Sequence, residues 1–264
     1  MKTVTSKDGT SIAYDQYGAG STLILVGGAT QHRAGDPGTA QLATLLGQDF
    51  TVIHYDRRGR GDSTDTLPFA VAREVEDIEA LIDATGGSAY LFGNSSGGAL
   101  VMEAAIALGS KVKKIALYEV PYNDDLAARQ TWKNYRKNLE EALAANRRGD
   151  AAALFLSLVG TPAEHIEGMR HSPVWSMFEA IAPTLAYDHT DLLGDEATVP
   201  VERAGKVTVP TLLMNGGASY PFMQVTAEKL ATIIPNAQHR VVEGQTHAVA
   251  PELLAPILES FFNS

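Results

Sequence analysis

The amino-acid sequence predicts an α/β fold with a mostly parallel sheet, and three observations support this prediction. The short apolar run of residues 22–26 shows no alternation with polar residues, which is typical of a strand buried on both faces, and residues 50–55 predict the next strand. Segments with helical periodicity lie between these runs, an order that favours parallel strands joined by crossover helices. A third run, residues 89–94, passes through a turn of glycine and serine directly into an alanine-rich helical segment.

The individual elements follow from local patterns along the chain. Residues 2–17 predict a hairpin, because the turn dipeptide Asp8-Gly9 separates two extended segments. Residues 70–84 predict a helix with one apolar stripe, and Gly86-Gly87 ends it. The other predicted strands span residues 22–26, 50–55, 89–94, 113–119, 209–214 and 238–242, and the other predicted helices of this part of the chain span residues 39–46, 96–108, 221–234 and 251–262.

Residues 122–204 contain no strand pattern. Three helical stripes replace it, and both tryptophans of the chain, Trp132 and Trp175, lie here. We therefore divide the chain into a core of residues 1–121 and 205–264 and an inserted helical cap of residues 122–204. Aromatic stripes usually pack in a core, but a cap over a sheet also encloses an apolar cavity. Trp132, Trp175 and Phe178 are therefore candidate substrate contacts.

Composition limits the partners that the chain could have. The 264 residues carry a formal net charge of -10 without a long basic run, which argues against nucleic-acid binding. No apolar run approaches the roughly 20 residues of a membrane span, and the first residues lack the apolar core of a signal peptide. The absence of cysteine excludes disulfides and thiolate chemistry and is compatible with a cytoplasmic location. We expect a monomer or homodimer that acts on a small molecule.

The segment Gly93-Asn94-Ser95-Ser96-Gly97 matches the G-x-S-x-G pattern of a nucleophile elbow. A Gly/Ser turn of no function is the alternative, but the strand before it and the helix after it favour the elbow. In that motif the serine lies on a sharp turn, and side chains at the flanking glycines would collide with neighbouring elements. The Ser95 hydroxyl is then exposed at the carboxyl edge of the sheet, and the Ser96 amide points where an oxyanion would form.

Two further loops follow predicted strands at the same edge of the sheet. In Gly27-Gly28-Ala29, the glycines leave room for a substrate at Gly28, and the Ala29 amide is a candidate second oxyanion donor; an ordinary glycine turn is the alternative. The loop of residues 56–63 contains three arginines and two aspartates. This charge resembles a phosphate loop, but we interpret the segment as a tight turn that Asp56 and the arginines brace by hydrogen bonds.

These motifs, in this order, resemble the α/β-hydrolase superfamily over nearly the whole chain. They are Gly27-Gly28, residues 56–63, residues 93–97 and Gly244-Gln245-Thr246-His247. The resemblance implies an eight-stranded sheet with one antiparallel strand, flanked by helices, with the cap inserted after the sixth strand. It also implies a Ser-acid-His triad in that chain order. It points to no particular substrate, and the implied chemistry requires neither a metal nor an organic cofactor.

The resemblance assigns the base to His247, which lies in a loop at the carboxyl end of a strand. The acid departs from the common pattern. Many members place an aspartate in a G-x-x-D loop after the penultimate strand, but here that position is Ser219, which cannot stabilise an imidazolium as a carboxylate does. We assign the acid to Glu119, at the end of the strand after the elbow helix, where some members carry it. A solvated or cap-pairing carboxylate is the alternative for Glu119, and Asp188 and Asp191 are weaker candidates.

The function expected from these residues is hydrolysis of an ester-like bond by acyl transfer. Ser95 attacks the carbonyl, His247 moves the proton, and Glu119 holds the histidine tautomer. Two alternatives stay open. One is a cofactor-free lyase that uses the same residues for proton transfer on a carbonyl compound. The other is a ligand-binding protein without turnover, supported by the serine at position 219. With Glu119 as the acid, Ser219→Ala should have little effect.

Overall fold

A central sheet of eight strands organises the computed structural model, which describes all 264 residues. The strands are β1 (Lys2–Thr5), β2 (Ser11–Tyr17), β3 (Ser21–Val26), β4 (Phe50–Tyr55), β5 (Ala89–Asn94), β6 (Val112–Tyr118), β7 (Thr211–Gly216) and β8 (Ala237–Val242). Their order across the sheet is β1-β2-β4-β3-β5-β6-β7-β8. One strand, β2, runs antiparallel to its neighbours β1 and β4, and the remaining pairs are parallel. The predicted α/β fold is therefore confirmed.

Two predicted strands differ at their ends for reasons visible in the backbone. β6 ends at Tyr118 because Glu119 has a φ of 50°, in the left-handed region that no strand residue adopts. β7 begins at Thr211 because Pro210, before it, has no amide to donate to a neighbouring strand.

Ten α-helices accompany the sheet. They are α1 (Pro37–Leu46), α2 (Val71–Ala84), α3 (Ser96–Leu108), α4 (Leu126–Ala144), α5 (Arg148–Leu158), α6 (Ala163–Arg170), α7 (Trp175–Ile181), α8 (Val201–Ala204), α9 (Pro221–Ile233) and α10 (Pro251–Asn263). The third stripe predicted for the inserted segment is not one helix. α7 ends at Ile181 because Pro183 has no amide to continue the ladder, and a π-helical turn, Tyr187–Leu192, follows.

The sheet buries apolar side chains on both faces, as the strands without alternation predicted. In β3, Leu23 and Leu25 belong to a core that includes α1 and α10, whereas Ile24 and Val26 belong to a core that includes α2 and α3. Successive side chains of a strand point to opposite faces, so a strand covered by helices on both sides is apolar throughout.

All of the chain between β6 and β7 is helical or irregular. Helices α4 to α8 lie in this interval, and α5 packs against α4, α6 and α7. The division into a cap of residues 122–204 and a core of residues 1–121 and 205–264 stays a prediction. None of the helices combines the length and the apolar character needed to cross a bilayer.

The turn between β5 and α3 has a strained backbone that two glycines make possible. Ser95 has φ 55° and ψ −129°, a conformation that costs a residue with a side chain of the order of 1–3 kcal/mol. A Cβ on Gly97 would lie 2.2 Å from the carbonyl oxygen of Val26, and a Cβ on Gly93 would lie 2.6 Å from that of Gly97. Both obstacles are backbone atoms, so the two glycines let β3, β5 and α3 approach closely enough to form the turn.

We predict that Gly97→Ala destabilises the protein by about 3 kcal/mol, because the added methyl group must displace the backbone after β3. The matched control is Gly168→Ala in α6, where a Cβ would meet nothing within 4 Å. That change should stabilise the protein by about 0.5–1 kcal/mol, since alanine favours a helix interior. Urea unfolding of the three proteins measures both effects, and equal midpoints for the two variants would contradict this account of the turn.

Candidate active site

The predicted site residues collect at one edge of the sheet. The strands β3, β5, β6, β7 and β8 are mutually parallel, so their carboxyl ends lie at the same edge. The loops after these ends carry the Gly27-Gly28-Ala29 segment, Ser95, Glu119, Ser219 and His247. Ligand sites of open α/β sheets form at this edge.

The backbone of Ser95 is held by a hydrogen bond, whereas its side chain makes none within the protein. Its amide donates to the carbonyl oxygen of Tyr118 at 2.9 Å, which ties the turn to the end of β6. Its hydroxyl lines the large cavity described below and has no hydrogen-bond partner in the protein. The side chain is therefore available to a reacting group.

Glu119 carries a fully buried carboxylate that accepts three hydrogen bonds. Oε1 accepts from the amide of Gly216 at 2.8 Å, and Oε2 accepts from the hydroxyl of Ser219 at 2.9 Å. Oε2 also lies 2.6 Å from Nδ1 of His247. The donors come from the end of β7 and from the loops after β7 and β8, so one carboxylate holds three segments together.

His247 contacts the carboxylate at one ring nitrogen and leaves the other free. Its side chain is 40% exposed, whereas that of Glu119 is 0% exposed. An ionised carboxylate only accepts hydrogen bonds, so Nδ1 of His247 carries the proton in this contact. In the neutral ring Nε2 is then an acceptor, which is the tautomer that a general base requires.

Two expectations about the acid change with this geometry. Ser219 is not a bystander, because its hydroxyl donates to the same oxygen of Glu119 that contacts His247. Asp188, the weaker candidate acid, is occupied by Arg57 and Arg60 in the protein interior. Neither Asp188 nor Asp191 lines the cavity that contains Ser95 and His247.

The two candidate oxyanion amides belong to residues that line the same cavity as Ser95. Ala29 and Ser96 both line the cavity, and neither amide is used by a turn, a cap or a side-chain hydrogen bond. Gly28 approaches the nucleophile so closely that a Cβ there would lie 2.9 Å from the Cβ of Ser95. A glycine is therefore required at this position for steric reasons.

A cavity of about 1120 Å³ connects these groups to the inserted helices. Trp132 of α4 lines it, as expected, with its indole N–H donating to the carbonyl oxygen of Gly194 at 3.0 Å. The expectation for Trp175 and Phe178 is wrong. These two rings pack in a separate small cluster with Ala152, where Trp175 is also covered by the Arg170 guanidinium, and neither lines the cavity.

Comparisons with known proteins identify the family. The sequence model described as "Alpha/beta hydrolase family" matches residues 23–255. The chain belongs to the alpha/beta hydrolase family. An alpha/beta hydrolase from Sphaerobacter thermophilus DSM 20745, known as a crystal structure, is 46% identical, with a TM-score of 0.87, and the match covers 99% of this chain and 100% of that chain.

Two more distant relatives extend the same comparison. The non-heme chloroperoxidase CPO-A1 of Kitasatospora aureofaciens is 27% identical over 278 residues, which cover 95% of this chain and 93% of that protein. A thermophilic esterase from Thermogutta terrifontis is 22% identical, with a TM-score of 0.73 over 99% of this chain and 97% of that chain, and therefore shares the fold.

In this alpha/beta hydrolase the arginine-rich loop is structural, and its partners are more distant than expected. Asp56 does brace the local turn, because its carboxylate accepts from the amides of Arg33 at 2.6 Å and Asp62 at 2.9 Å. The arginines instead reach other elements. Arg58 pairs with Asp77 of α2 at 2.7 Å. All three arginine side chains are nearly inaccessible to solvent, so none is free to bind a phosphate.

The sequence does not single out His189 as a cavity residue, or Tyr135 as the partner of its imidazole. His189 lines the cavity, and its Nδ1 lies 2.7 Å from the hydroxyl of Tyr135. Burial lowers the pKa of His189 to about 4, against the smaller opposite influence of Asp188. His189 follows no motif or periodic stripe, so the sequence contains no signal that distinguishes it from the other histidines of the inserted segment. No group of three or more His, Asp or Glu side chains is arranged to hold a metal ion.

We predict that Glu119→Gln lowers kcat by about 10⁴-fold, by analogy with loss of a triad acid. The amide can present an N–H to Nδ1 of His247, which favours the wrong tautomer and leaves a developing imidazolium without its counter-charge. Ser219→Ala removes one of the three donors and keeps the carboxylate, so kcat should fall by less than about tenfold. Steady-state ester hydrolysis measures both variants.

A second-site variant sharpens this test. The hydroxyl of Ser219 lies 2.9 Å from the carboxylate oxygen that contacts His247. An aspartate at position 219 can therefore supply a carboxylate from the neighbouring loop. We expect Glu119→Gln combined with Ser219→Asp to recover part of the lost kcat. Wild-type kcat in Glu119→Gln alone would exclude Glu119 as the acid.

Proposed function

We propose that this protein is a serine hydrolase that cleaves a carboxylic ester, lactone or thioester of a small molecule through an acyl-enzyme. The observation that carries the proposal is the contact between the buried Glu119 carboxylate and the His247 imidazole, which lines the same cavity as Ser95. A fixed carboxylate, an oriented imidazole and a strained serine turn are the components that activate a hydroxyl nucleophile.

The first half of the reaction forms the acyl-enzyme. Oγ of Ser95 bonds to the carbonyl carbon while Nε2 of His247 takes the hydroxyl proton, and the carbonyl π electrons move to oxygen. The amides of Ala29 and Ser96 stabilise that oxyanion, each by about 3 kcal/mol in comparable sites. When the carbonyl re-forms, the bond to the leaving group breaks, and His247 donates its proton to the departing alcohol or thiol.

The second half releases the acid and restores the serine. A water molecule adds to the acyl carbon while His247 takes its proton, and the same two amides stabilise the second oxyanion. The bond between Oγ of Ser95 and the acyl carbon then breaks, and His247 returns the proton to the hydroxyl. Glu119 stabilises the imidazolium in both halves without itself being protonated.

The cavity supports a substrate with a substantial apolar part. Its volume of about 1120 Å³ exceeds what a short acyl group fills, and apolar side chains of the inserted helices contribute to its wall. Gly28 admits the substrate to the nucleophile, and Trp132 offers an aromatic face. In this proposal residues 122–204 act as a cap that encloses the substrate over the core.

The experiment that tests the proposal is covalent labelling of the serine. A fluorophosphonate probe should label the wild-type protein at Ser95 and should not label Ser95→Ala, because the probe requires an activated hydroxyl. The wild-type protein should also hydrolyse p-nitrophenyl butyrate with a burst of p-nitrophenol. His247→Ala should lose both labelling and turnover.

The outcomes separate the proposal from its two alternatives. Absence of labelling in the wild-type protein would indicate a ligand-binding member without a nucleophile. Labelling without turnover of p-nitrophenyl, lactone or thioester substrates would favour a lyase that uses the same residues for proton transfer. Either result would overturn ester hydrolysis as the function.

A further inference from the structure

Four buried charged side chains form a cluster beneath the loop after β3. We call Arg57, Arg60, Glu74 and Asp188 the arginine cluster. Arg57 makes a bidentate contact with Glu74 at 2.7 and 2.6 Å and donates to Asp188 at 2.7 Å. Arg60 donates to the other carboxylate oxygen of Asp188. Each side chain is at most 3% exposed.

The charges of the arginine cluster balance. Two guanidinium groups face two carboxylates, and arginine does not lose its proton in proteins. Although burial disfavours charge, Arg57 and Arg60 hold the pKa of Asp188 below its ordinary value. Burial also opposes the charge of Arg57, but Asp188 and Glu74 hold the pKa of Arg57 well above its ordinary value. Burial and the neighbouring Arg57 lower the pKa of Arg60, against the opposite influence of Asp188. Each guanidinium is held in place by a carboxylate, Arg57 by Glu74 and Arg60 by Asp188.

Each of the two arginines also donates to the loop after β3, while Nε of Arg60 donates to the hydroxyl of Thr184 at 3.1 Å. Nη1 of Arg60 donates to the carbonyl oxygen of Gly28 at 2.7 Å, and Nη1 of Arg57 donates to that of Gly27 at 3.2 Å. The Gly28 carbonyl belongs to the same peptide unit as the candidate oxyanion amide of Ala29, and the Gly27 carbonyl belongs to the unit before it. Arg60 lies outside the cavity, whereas Gly28 and Ala29 line it.

Because a peptide unit is planar, the hydrogen bond from Arg60 to the Gly28 carbonyl also sets the direction of the Ala29 N–H. The carbonyl of Gly28 and the amide of Ala29 belong to one trans peptide unit, in which they point in opposite directions. Arg60 holds the carbonyl at 2.7 Å, and the amide of Gln31 makes a longer hydrogen bond to it at 3.3 Å. The N–H of Ala29, which lines the cavity, therefore points away from the Arg60 guanidinium. A flip of this peptide would place the carbonyl in the cavity, where it would repel an oxyanion, and would point the N–H at the guanidinium.

We propose that Arg60 is a positioning residue for the oxyanion-binding amide of Ala29, and that Asp188, from the inserted segment, holds Arg60 in that position. The inference rests on the proposed serine-hydrolase function and adds to it. It assigns the arginine cluster a role in the reaction although none of its members contacts the substrate. It also means that Asp188, a residue of the inserted segment, helps to hold the reaction site of the core in place.

A double variant tests the proposal without leaving an unpaired charge. Arg60→Met with Asp188→Asn removes one charge of each sign and leaves the Arg57–Glu74 pair intact. The matched control is Arg58→Met with Asp77→Asn, which removes another buried arginine of the same loop and its partner in α2, and neither residue touches Gly27 or Gly28. The second partner of Arg58, Asp8, has its side chain 10% exposed and keeps access to solvent in this control. Circular dichroism and thermal unfolding establish that both proteins are folded at the assay temperature.

We expect the Arg60 double variant to lose stabilisation of the transition state while its affinity for the substrate changes little. With p-nitrophenyl butyrate, kcat of the Arg60 double variant should fall by about 10²–10³-fold, the effect of losing one oxyanion donor, while KM changes by less than about threefold. The control should keep kcat within about threefold of wild type. An alkyl trifluoromethyl ketone forms a hemiketal with Ser95 and places its oxyanion at the same amides, so its affinity should fall in parallel with kcat only in the Arg60 variant.

A single variant keeps the test decisive if the double variant does not fold. Arg60→Lys preserves the charge opposite Asp188, but one ammonium group cannot replace the separate contacts to Asp188, Thr184 and the Gly28 carbonyl. It should also lower kcat and inhibitor affinity together. Values within threefold of the control for both quantities would overturn the proposal. Absence of Ser95 labelling in the wild-type protein would instead overturn the proposed function itself.

His189, a second polar residue of the cavity wall, is surrounded by aromatic rings of the inserted helices. Its imidazole stacks on Phe155 with centroids 5.4 Å apart and meets the edge of Trp132 at 5.2 Å. Nδ1 contacts the hydroxyl of Tyr135, and Nε2 has no partner in the protein. His189 lines the cavity, so Nε2 is the polar atom that this aromatic region offers to a ligand.

The hydrogen-bond partners fix the tautomer of this ring. Burial keeps the His189 imidazole neutral, with a pKa lowered to about 4, and raises the pKa of Tyr135 so that its hydroxyl keeps its proton. The hydroxyl makes no other hydrogen bond, so donating to Nδ1 is the arrangement that satisfies both groups. Nε2 of His189 then carries the hydrogen.

We infer that His189 is a recognition residue whose Nε2–H donates to a neutral acceptor oxygen of the substrate, such as a keto, ether or second ester oxygen, remote from the reacting carbonyl. This inference also rests on the proposed function, and it narrows the substrate class. A simple hydrocarbon chain would leave the donor without a partner, whereas an oxygenated chain satisfies it.

Matched substrate pairs test this inference. The probes are p-nitrophenyl octanoate and its 4-, 5-, 6- and 7-oxo analogues, and octyl acetate with the corresponding oxo-octyl acetates. At one position, the ratio of kcat/KM for the oxo ester to that for the plain ester should be roughly tenfold higher in wild type than in His189→Phe. Phe155→Leu, which alters packing around the imidazole and keeps the donor, should preserve the wild-type ratio.

Two results would overturn the role of His189. The ratio could be equal in wild type and His189→Phe at every position of both series. Alternatively, Phe155→Leu could change the ratio as much as His189→Phe does, which would indicate packing rather than hydrogen bonding. Hydrolysis of p-nitrophenyl octanoate by the wild-type protein shows in the same assay whether the proposed function itself holds.

Discussion

The buried carboxylate of Glu119 is the group on which the geometry of the candidate site depends. An isolated charge in the protein interior is costly, and this one is compensated by donors from Gly216, Ser219 and His247. Those donors belong to the end of β7 and to the loops after β7 and β8, so satisfying one charge also sets the positions of three segments. The left-handed backbone at Glu119, with φ 50°, turns the chain out of the sheet at this point. The same hydrogen bonds to Glu119 therefore fix both the conformation of the loops and the orientation of the His247 imidazole.

Two buried charges of opposite sign flank the Ser95 turn, because β5 lies between β6, which ends before Glu119, and β3, whose following loop binds Arg60. On one side Glu119 faces the imidazole, where positive charge develops in the proposed reaction. On the other, Arg60 binds the carbonyl of Gly28, whose peptide partner is the amide of Ala29. A hydrogen bond to a carbonyl polarises the whole peptide unit and strengthens its N–H as a donor. The two buried charges thus favour the same separation of charge, with positive at the histidine and negative at the oxyanion.

The sequence predicted the parts of this arrangement that depend on local pattern. Strands without alternation, the glycines around Ser95 and the loop position of His247 each follow from constraints within a few residues. The position of Glu119 beside His247 also followed, because parallel strands end at one edge, and its role as the acid stays a prediction. The failures are of another kind. Trp175 and Phe178 share the aromatic character of Trp132, but whether an inserted helix turns a ring to a cavity or to its neighbours depends on tertiary packing. The partners of the arginines lie far along the chain for the same reason, as in the contact of Arg60 with Asp188.

The π-helical turn Tyr187–Leu192 explains how one short segment serves two environments. Turns of this kind are rare and occur mostly at functional sites. Here consecutive residues diverge: Asp188 enters the arginine cluster, and His189 lines the cavity. A substitution that reshapes the turn to accept another substrate at His189 therefore also disturbs the carboxylate that holds Arg60. Substrate choice and oxyanion support are coupled through two adjacent residues, so a change of specificity in this region requires compensation within the arginine cluster.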